Sequence, residues 1–198
     1  MPRPANLPVD RPILGSVGQI NATYDWEFVA ELAASLPEAR LCFAGNIEES
    51  DQNWRRDFVN LLERRHNFLF LDPQPHEQIP AYMQHFDISM CYLRADDSGN
   101  RRSPLRLYDY LTTQKPVIST PIREAYEHLP HIHIANSAKE AAVLARRILA
   151  GELPVDLAAR KQYIGGQTWA TRATQLLEEL VRVPKLAGCY SGFTPCHS

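Results

Sequence analysis

Short, nearly continuous apolar runs alternate along this chain with longer stretches whose apolar positions recur every three or four residues. The runs are Ile13–Val17, Leu41–Ala44, Phe68–Leu71, Ile88–Tyr92, Val117–Ser119 and Ile132–Ile134. Apolar character at consecutive positions means burial on both faces, as in the strands of a parallel sheet. Helices are predicted near Trp26–Leu36, Trp54–Arg65, Glu77–His85, Pro104–Thr112 and Ala138–Leu149. A last helical region runs from about Val155 to Val181, with a break expected at Gly165-Gly166. Strand and helix in alternation predict an α/β fold, a doubly wound Rossmann-like parallel sheet with helices on both faces. Residues 1–10 hold three prolines and no periodicity and read as a linker-like segment. The α/β domain is expected over 11–183, and little order over 184–198.

In open α/β sheets, ligands bind beyond the carboxyl ends of the strands. The segments expected there are Gly18–Thr23, Gly45–Glu49, Asp72–Pro75, Leu93–Ser103 and Thr120–Glu124. One of them leads into the most informative stretch of the chain, Ser103-Pro104-Leu105-Arg106-Leu107-Tyr108-Asp109-Tyr110-Leu111. Ser103 is suited to cap a helix, and Pro104 to its first turn. The N–H groups of Leu105 and Arg106 then stand at the positive end of the helix dipole, a ready anion site. Asp109 follows six residues later, ~9 Å along the axis at 1.5 Å per residue. A carboxylate there is placed to accept from a ribose diol while the helix tip holds a diphosphate. A surface ion pair with Arg106, three residues away, is the other reading of Asp109.

These residues carry a family resemblance. The stretch resembles the donor-binding half of GT-B glycosyltransferases of the group 1 kind, which show Ser-Pro-Leu-Lys-Leu-Tyr-Glu-Tyr-Leu-Ala, then Gly-Lys-Pro-Val-Val and a Thr-Pro. Here Lys115-Pro116-Val117-Ile118-Ser119-Thr120-Pro121 follows. The likeness extends to Pro12–Gly18 (first strand and glycine turn), Asp25-Trp26 (first helix) and Leu41–Gly45 (second strand). It continues at Pro75–Tyr82 with Phe86–Ser89, and at Thr168-Trp169 with Arg172 (late helix), covering roughly residues 11–180. The resemblance implies nucleotide-sugar binding by Gly18, Gln74, Arg101, Arg102, Ser103, Leu105, Arg106 and Asp109. Gln74 would flank the nucleobase, or simply close a turn at Asp72–Pro75. Arg106 stands where the family has Lys, and Asp109 where it usually has Glu. Many retaining members place an acidic residue eight positions before the ribose carboxylate; that position is Arg101 here. Retaining stereochemistry is therefore not implied. Arg101 and Arg102 are suited to neutralise a diphosphate leaving group or to sit solvated in the loop.

Composition narrows the classes. Net charge is −2, which gives no broad electrostatic case for nucleic acid. Gly15-x-x-Gly18 is not the Gly-x-Gly-x-x-Gly of a nicotinamide enzyme. No apolar run reaches transmembrane length. Arg55-Arg56 and Arg64-Arg65 suit a solvated helix face, or peripheral contact with anionic lipid. Cys42 and Cys91 fall in predicted strands, and Cys189 and Cys196 lie in the tail, free or disulfide-linked. A reduced, cytoplasmic chain is the expectation. His128, His131 and His133 read as scattered surface histidines rather than zinc ligands. Asp96-Asp97 lacks the spaced Asp-x-Asp of metal-nucleotide sites, and Tyr163 and Trp169 read as packing residues. No metal or cofactor is expected beyond the nucleotide-sugar.

The resemblance implies transfer of a sugar from a nucleoside-diphosphate sugar to an acceptor hydroxyl, without a metal ion. GT-B enzymes have two halves, acceptor half first, and about ten residues precede the first strand here. The acceptor half is thus expected to be missing from this chain, or supplied by a separate subunit, and no catalytic residue is assigned. The competing class is a non-catalytic nucleotide-binding or assembly module that keeps the half-fold. An epimerase acting on nucleotide sugars would need both halves.

Overall fold

The computed structural model describes residues 1–48 and 53–182. The described residues divide into two units, one running to Leu157 and the other starting at Ala158. The first unit is built on six strands: β1 (Ile13–Val17), β2 (Arg40–Ala44), β3 (Phe68–Leu71), β4 (Ile88–Cys91), β5 (Val117–Ser119) and β6 (His133–Ile134). Their order is β3-β2-β1-β4-β5-β6, and every pairing is parallel. This is the doubly wound order, and it reverses between β1 and β4. All residues of β1 and β4 are buried, as the consecutive apolar runs require.

Helices α1 (Trp26–Ser35), α2 (Asn53–Arg64), α3 (Ile79–His85), α4 (Asp97–Asn100), α5 (Leu105–Thr112), α6 (Arg123–Glu127) and α7 (Ala138–Leu149) flank the sheet. The Asp25 carboxylate caps α1 by accepting from the Phe28 N–H at 3.0 Å, and Ser137 caps α7. Each cap sits directly before an amphipathic run, so the sequence marks these starts. The predicted helix over 77–85 begins instead as a 3-10 turn, His76–Gln78, before α3. The short helices α4 and α6 form where only loops were expected. Beneath the carboxyl edge lies an aromatic cluster. Trp26 stacks on Tyr24 at 5.1 Å and on Trp54 at 5.9 Å, while Phe43 packs against Tyr92 at 5.2 Å and Phe68 at 4.8 Å.

The segment expected to be linker-like is packed. Leu7 is buried, and the Tyr82 hydroxyl donates to Asn6 Oδ1 at 2.7 Å. Arg40 pairs with Asp10 at 2.8 Å. Proline-rich composition concealed this, because the contacts are irregular and distant in sequence.

From Ala158 on, the second unit holds all but the first residue of α8 (Leu157–Gly165) and the whole of α9 (Trp169–Arg182), with the break where the glycine pair predicted it. The Thr168 hydroxyl accepts from the Thr171 N–H at 3.1 Å and caps α9. Trp169, read from sequence as a packing residue, is exposed. No helix among the described residues is long and apolar enough to cross a membrane. Residues 184–198, with Cys189 and Cys196, lie outside the described residues.

Candidate functional site

A cavity of about 980 Å³ opens at the carboxyl edge of the sheet, over the reversal of strand order between β1 and β4. Five segments line it. They are the turn after β1 (Val17 to Thr23), the turn after β2 (Gly45 and Asn46), the segment after β3 (Gln74, His76, Ile79), Leu93 beyond β4, and the stretch from Arg102 into α5.

The two glycine turns make the floor. Gly18 has φ +117°, and a Cβ there would come within 3.1 Å of Arg106 Nη2. Gly45 has φ +153°, and a Cβ there would fall 1.9 Å from the Gly18 carbonyl oxygen. Both positions need glycine for conformation and for space. The turn beyond Gly18 is fixed by Asn21, whose Oδ1 accepts from the Thr23 N–H at 3.0 Å and from its hydroxyl at 2.6 Å. Strand β1 ends on α5, where the Val17 N–H donates to the buried Tyr110 hydroxyl at 2.9 Å.

Arg106 is the electrostatic centre of the site. Its guanidinium lies 5.0 Å from the Tyr24 ring centroid and donates to the Tyr24 hydroxyl. Burial acts to lower its pKa, but the Tyr24 and Tyr110 phenols and the Cys91 thiol outweigh that, so the net shift is upward. Burial pushes the Tyr110 phenol and the Cys91 thiol above their ordinary values. No carboxylate pairs with Arg106 among the described residues. A full positive charge therefore faces the cavity without a carboxylate partner among the described residues.

Helix α5 adds to that charge. Its first residues, Leu105 and Arg106, have N–H groups with no acceptor inside the helix. The structure corrects the expected cap. Pro104 occupies the N-cap position and provides no side-chain hydrogen bond. The Ser103 hydroxyl instead donates to Glu124 Oε1 at 3.1 Å.

Asp109 lies on the same cavity, with no ion pair to Arg106 among the described residues. Its carboxyl is pushed up by desolvation and pulled back partly by His76, which faces it across the opening. A carboxylate with few partners is an acceptor available to a ligand's hydroxyl groups. Gln74 lines the cavity, and its side-chain amide is committed to the turn, donating to the Asp72 carbonyl at 2.6 Å. Arg102 and Ser103 line the cavity, whereas Arg101 does not.

Of the residues singled out from sequence, Gly18, Gln74, Arg102, Ser103, Leu105, Arg106 and Asp109 thus meet in one cavity, and Arg101 stands apart. Sequence reasoning missed Tyr24, His76, Asn46 and Tyr110. Only Tyr110 left a signal: it lies four residues after Arg106, on the same face of one helix. His128 departs from the surface placement expected for it. It is fully buried, edge-on against Tyr108 at 4.7 Å. Cys42 and Cys91 are buried in strands as read, and burial raises the Cys42 thiol to about 12. The described residues contain no group of three or more His, Cys, Asp or Glu that would hold a metal ion.

Residues 22–178 match the family model described as glycosyl transferase-like. A putative teichuronic acid biosynthesis glycosyltransferase of Bacillus subtilis is 23% identical over 155 residues, which cover 78% of this chain and 35% of that protein. Among solved structures, HepE of Anabaena in complex with UDP superposes with a TM-score of 0.67 at 16% identity, covering 86% of this chain and 49% of that one. An α,α-trehalose-phosphate synthase (UDP-forming) from Burkholderia vietnamiensis gives 0.67 at 13% identity, over 86% and 45%. The fold is that of the C-terminal half of GT-B glycosyltransferases. The chain spans about a third to a half of the length of these relatives.

Proposed function

Because this chain belongs to the glycosyl transferase-like family, we propose that it is the donor-binding half of a glycosyltransferase. The reaction is transfer of a sugar from a nucleoside-diphosphate sugar to an acceptor hydroxyl. The observation that carries this reading is Arg106, a guanidinium without a carboxylate partner among the described residues, held under the Gly18 turn at the open N-terminus of α5. That arrangement suits a diphosphate.

The chemistry follows from the charge. As the bond from the anomeric carbon to the β-phosphate oxygen breaks, its electron pair stays on the departing diphosphate. Arg106, the Leu105 and Arg106 N–H groups and Arg102 are placed to stabilise that charge without a metal ion. Asp109 accepts from the ribose hydroxyls. The Gln74 backbone and the Ile79 side chain flank the base. HepE has been solved with UDP and with UDP-glucose, so a uridine nucleotide is the first donor to test. The acceptor, and the base that takes its proton, come from an acceptor half in a longer polypeptide or a separate subunit. Efficient turnover by this chain alone would contradict that part. A second reading, a nucleotide-binding assembly module without chemistry, draws on Arg101, which breaks the acidic pair and lies off the cavity. Restored transfer on adding an acceptor half would refute it.

The test of the site is calorimetric titration with UDP, GDP, ADP and CDP, on the wild type and on Asp109→Ala. Binding of one diphosphate, weakened in the variant, is the expected result. No binding by any of the four would overturn the reading.

A further inference from the structure

We propose that Glu124 is a positioning residue for the diphosphate site, an inference that rests on the reading above. Glu124 lies in α6 and does not line the cavity. Its side chain is only 12% exposed. One oxygen, Oε1, accepts from the Ser103 hydroxyl at 3.1 Å and from the Tyr108 hydroxyl at 2.9 Å. The imidazole Nε2 of the buried His128 lies 3.7 Å from the same oxygen. Tyr108 in turn packs edge-on against His128. A single carboxylate thus holds the residue two positions before α5 and a residue one turn inside it.

That geometry fixes the part of α5 whose N–H groups and Arg106 face the cavity. It also turns the Ser103 hydroxyl away from the helix N-terminus. Serine is a strong capping residue, and a cap would satisfy N–H groups that a phosphate oxygen needs. With its hydroxyl committed to Glu124, Ser103 leaves those groups open. The neighbouring residue reinforces the tie, because the Arg123 N–H donates to Asn100 Oδ1 at 2.9 Å. The segment from Asn100 to Ser103, which leads into α5, is therefore tied to α6 at two consecutive residues. Charge makes the hold firm, since hydrogen bonds to an ionised acceptor are stronger than neutral ones.

The test compares two probes on the wild type and three variants. UDP and uridine are titrated against the wild type, Glu124→Ala and Glu124→Gln, with thermal melts alongside. Losing one to two charge-assisted bonds predicts a fall in UDP affinity of about tenfold for Glu124→Ala. Uridine affinity should stay within about twofold, because the base contacts at Gln74 and Ile79 lie off α5 and uridine makes no use of the helix N-terminus. Glu124→Gln keeps an acceptor oxygen and should recover most of the UDP affinity. Tyr108→Phe removes one of the two bonds, leaves the carboxylate, and should give an intermediate loss. Equal losses for UDP and uridine would mean general loosening and overturn the proposal. Unchanged UDP affinity in Glu124→Ala would also overturn it while leaving the donor site standing. Failure of the wild type to bind UDP would instead refute the donor-site reading, and this inference with it.

Discussion

Replacing Arg106 with Met separates a binding role from a structural one, because the two predict opposite signs for stability. The guanidinium gives up hydration and receives in return one hydrogen bond, to the Tyr24 hydroxyl, and the face of the Tyr24 ring. A cation–π contact contributes about 0.5–2 kcal/mol, and a hydrogen bond to a charged group about 1.5–3 kcal/mol. Partial desolvation of this half-buried guanidinium offsets much of that gain, and exchange of desolvated ions for apolar residues of similar volume is often neutral or stabilising by about 1–4 kcal/mol. Arg106→Met should therefore melt at the same temperature as the wild type or higher. Binding should move the other way. Loss of charge-assisted hydrogen bonds to a diphosphate, about 1.5–3 kcal/mol, weakens UDP by about 10- to 150-fold. Isothermal titration with UDP and a urea denaturation curve on the same preparation measure both. A variant clearly less stable than the wild type that binds UDP within about twofold of it would refute the reasoning. Arg106 would then be a core strut rather than an anion receptor.

Other outcomes follow from the same geometry. Asp109 has its carboxyl raised above the ordinary aspartate value by desolvation, so the folded state holds that proton more tightly than the unfolded one. Its contribution to stability is unfavourable at neutral pH, and that penalty is relieved as pH falls through the raised pKa. Uridine binding through the ionised carboxylate should weaken over the same window, whose midpoint lies above the usual aspartate value. Asp109→Asn should abolish that pH dependence; titration of uridine across the acid range checks it. Tyr110→Phe leaves the buried Val17 N–H without its acceptor and should cost about 1–3 kcal/mol in urea denaturation. Gly45→Ala puts a Cβ 1.9 Å from the Gly18 carbonyl oxygen at φ +153°. It should cost at least about 2 kcal/mol and weaken UDP binding by displacing the Gly18 turn.

The strands β1, β4 and β5 were legible because burial on both faces leaves an unbroken apolar run; the outer strands β3 and β6 are only partly buried, yet each of the six runs became a strand. Helix starts were legible where a capping side chain precedes an amphipathic stretch, as at Asp25 and Ser137. The start of α5 was misread in detail for a physical reason. Ser103 has the chemistry of a cap, but Glu124, twenty-one residues away, offers its hydroxyl a charged acceptor. Local propensity cannot register such a competitor. Tyr24 and His76 were invisible for the same cause, since their roles depend on loops that meet only when the sheet forms. Helices α4 and α6, four and five residues long, have no periodicity to detect. Leu7 shows the limit from the other side: one apolar residue among prolines carries no pattern, yet it is buried.

A crystal structure of this chain with UDP bound tests the central claim most directly. The account predicts the diphosphate at the tip of α5, within hydrogen-bond distance of the Leu105 and Arg106 N–H groups and of the Arg106 guanidinium. The ribose hydroxyls should meet Asp109, and the uracil should lie between Gln74 and Ile79. A diphosphate turned away from Arg106 toward solvent, or UDP bound outside this cavity, would contradict it.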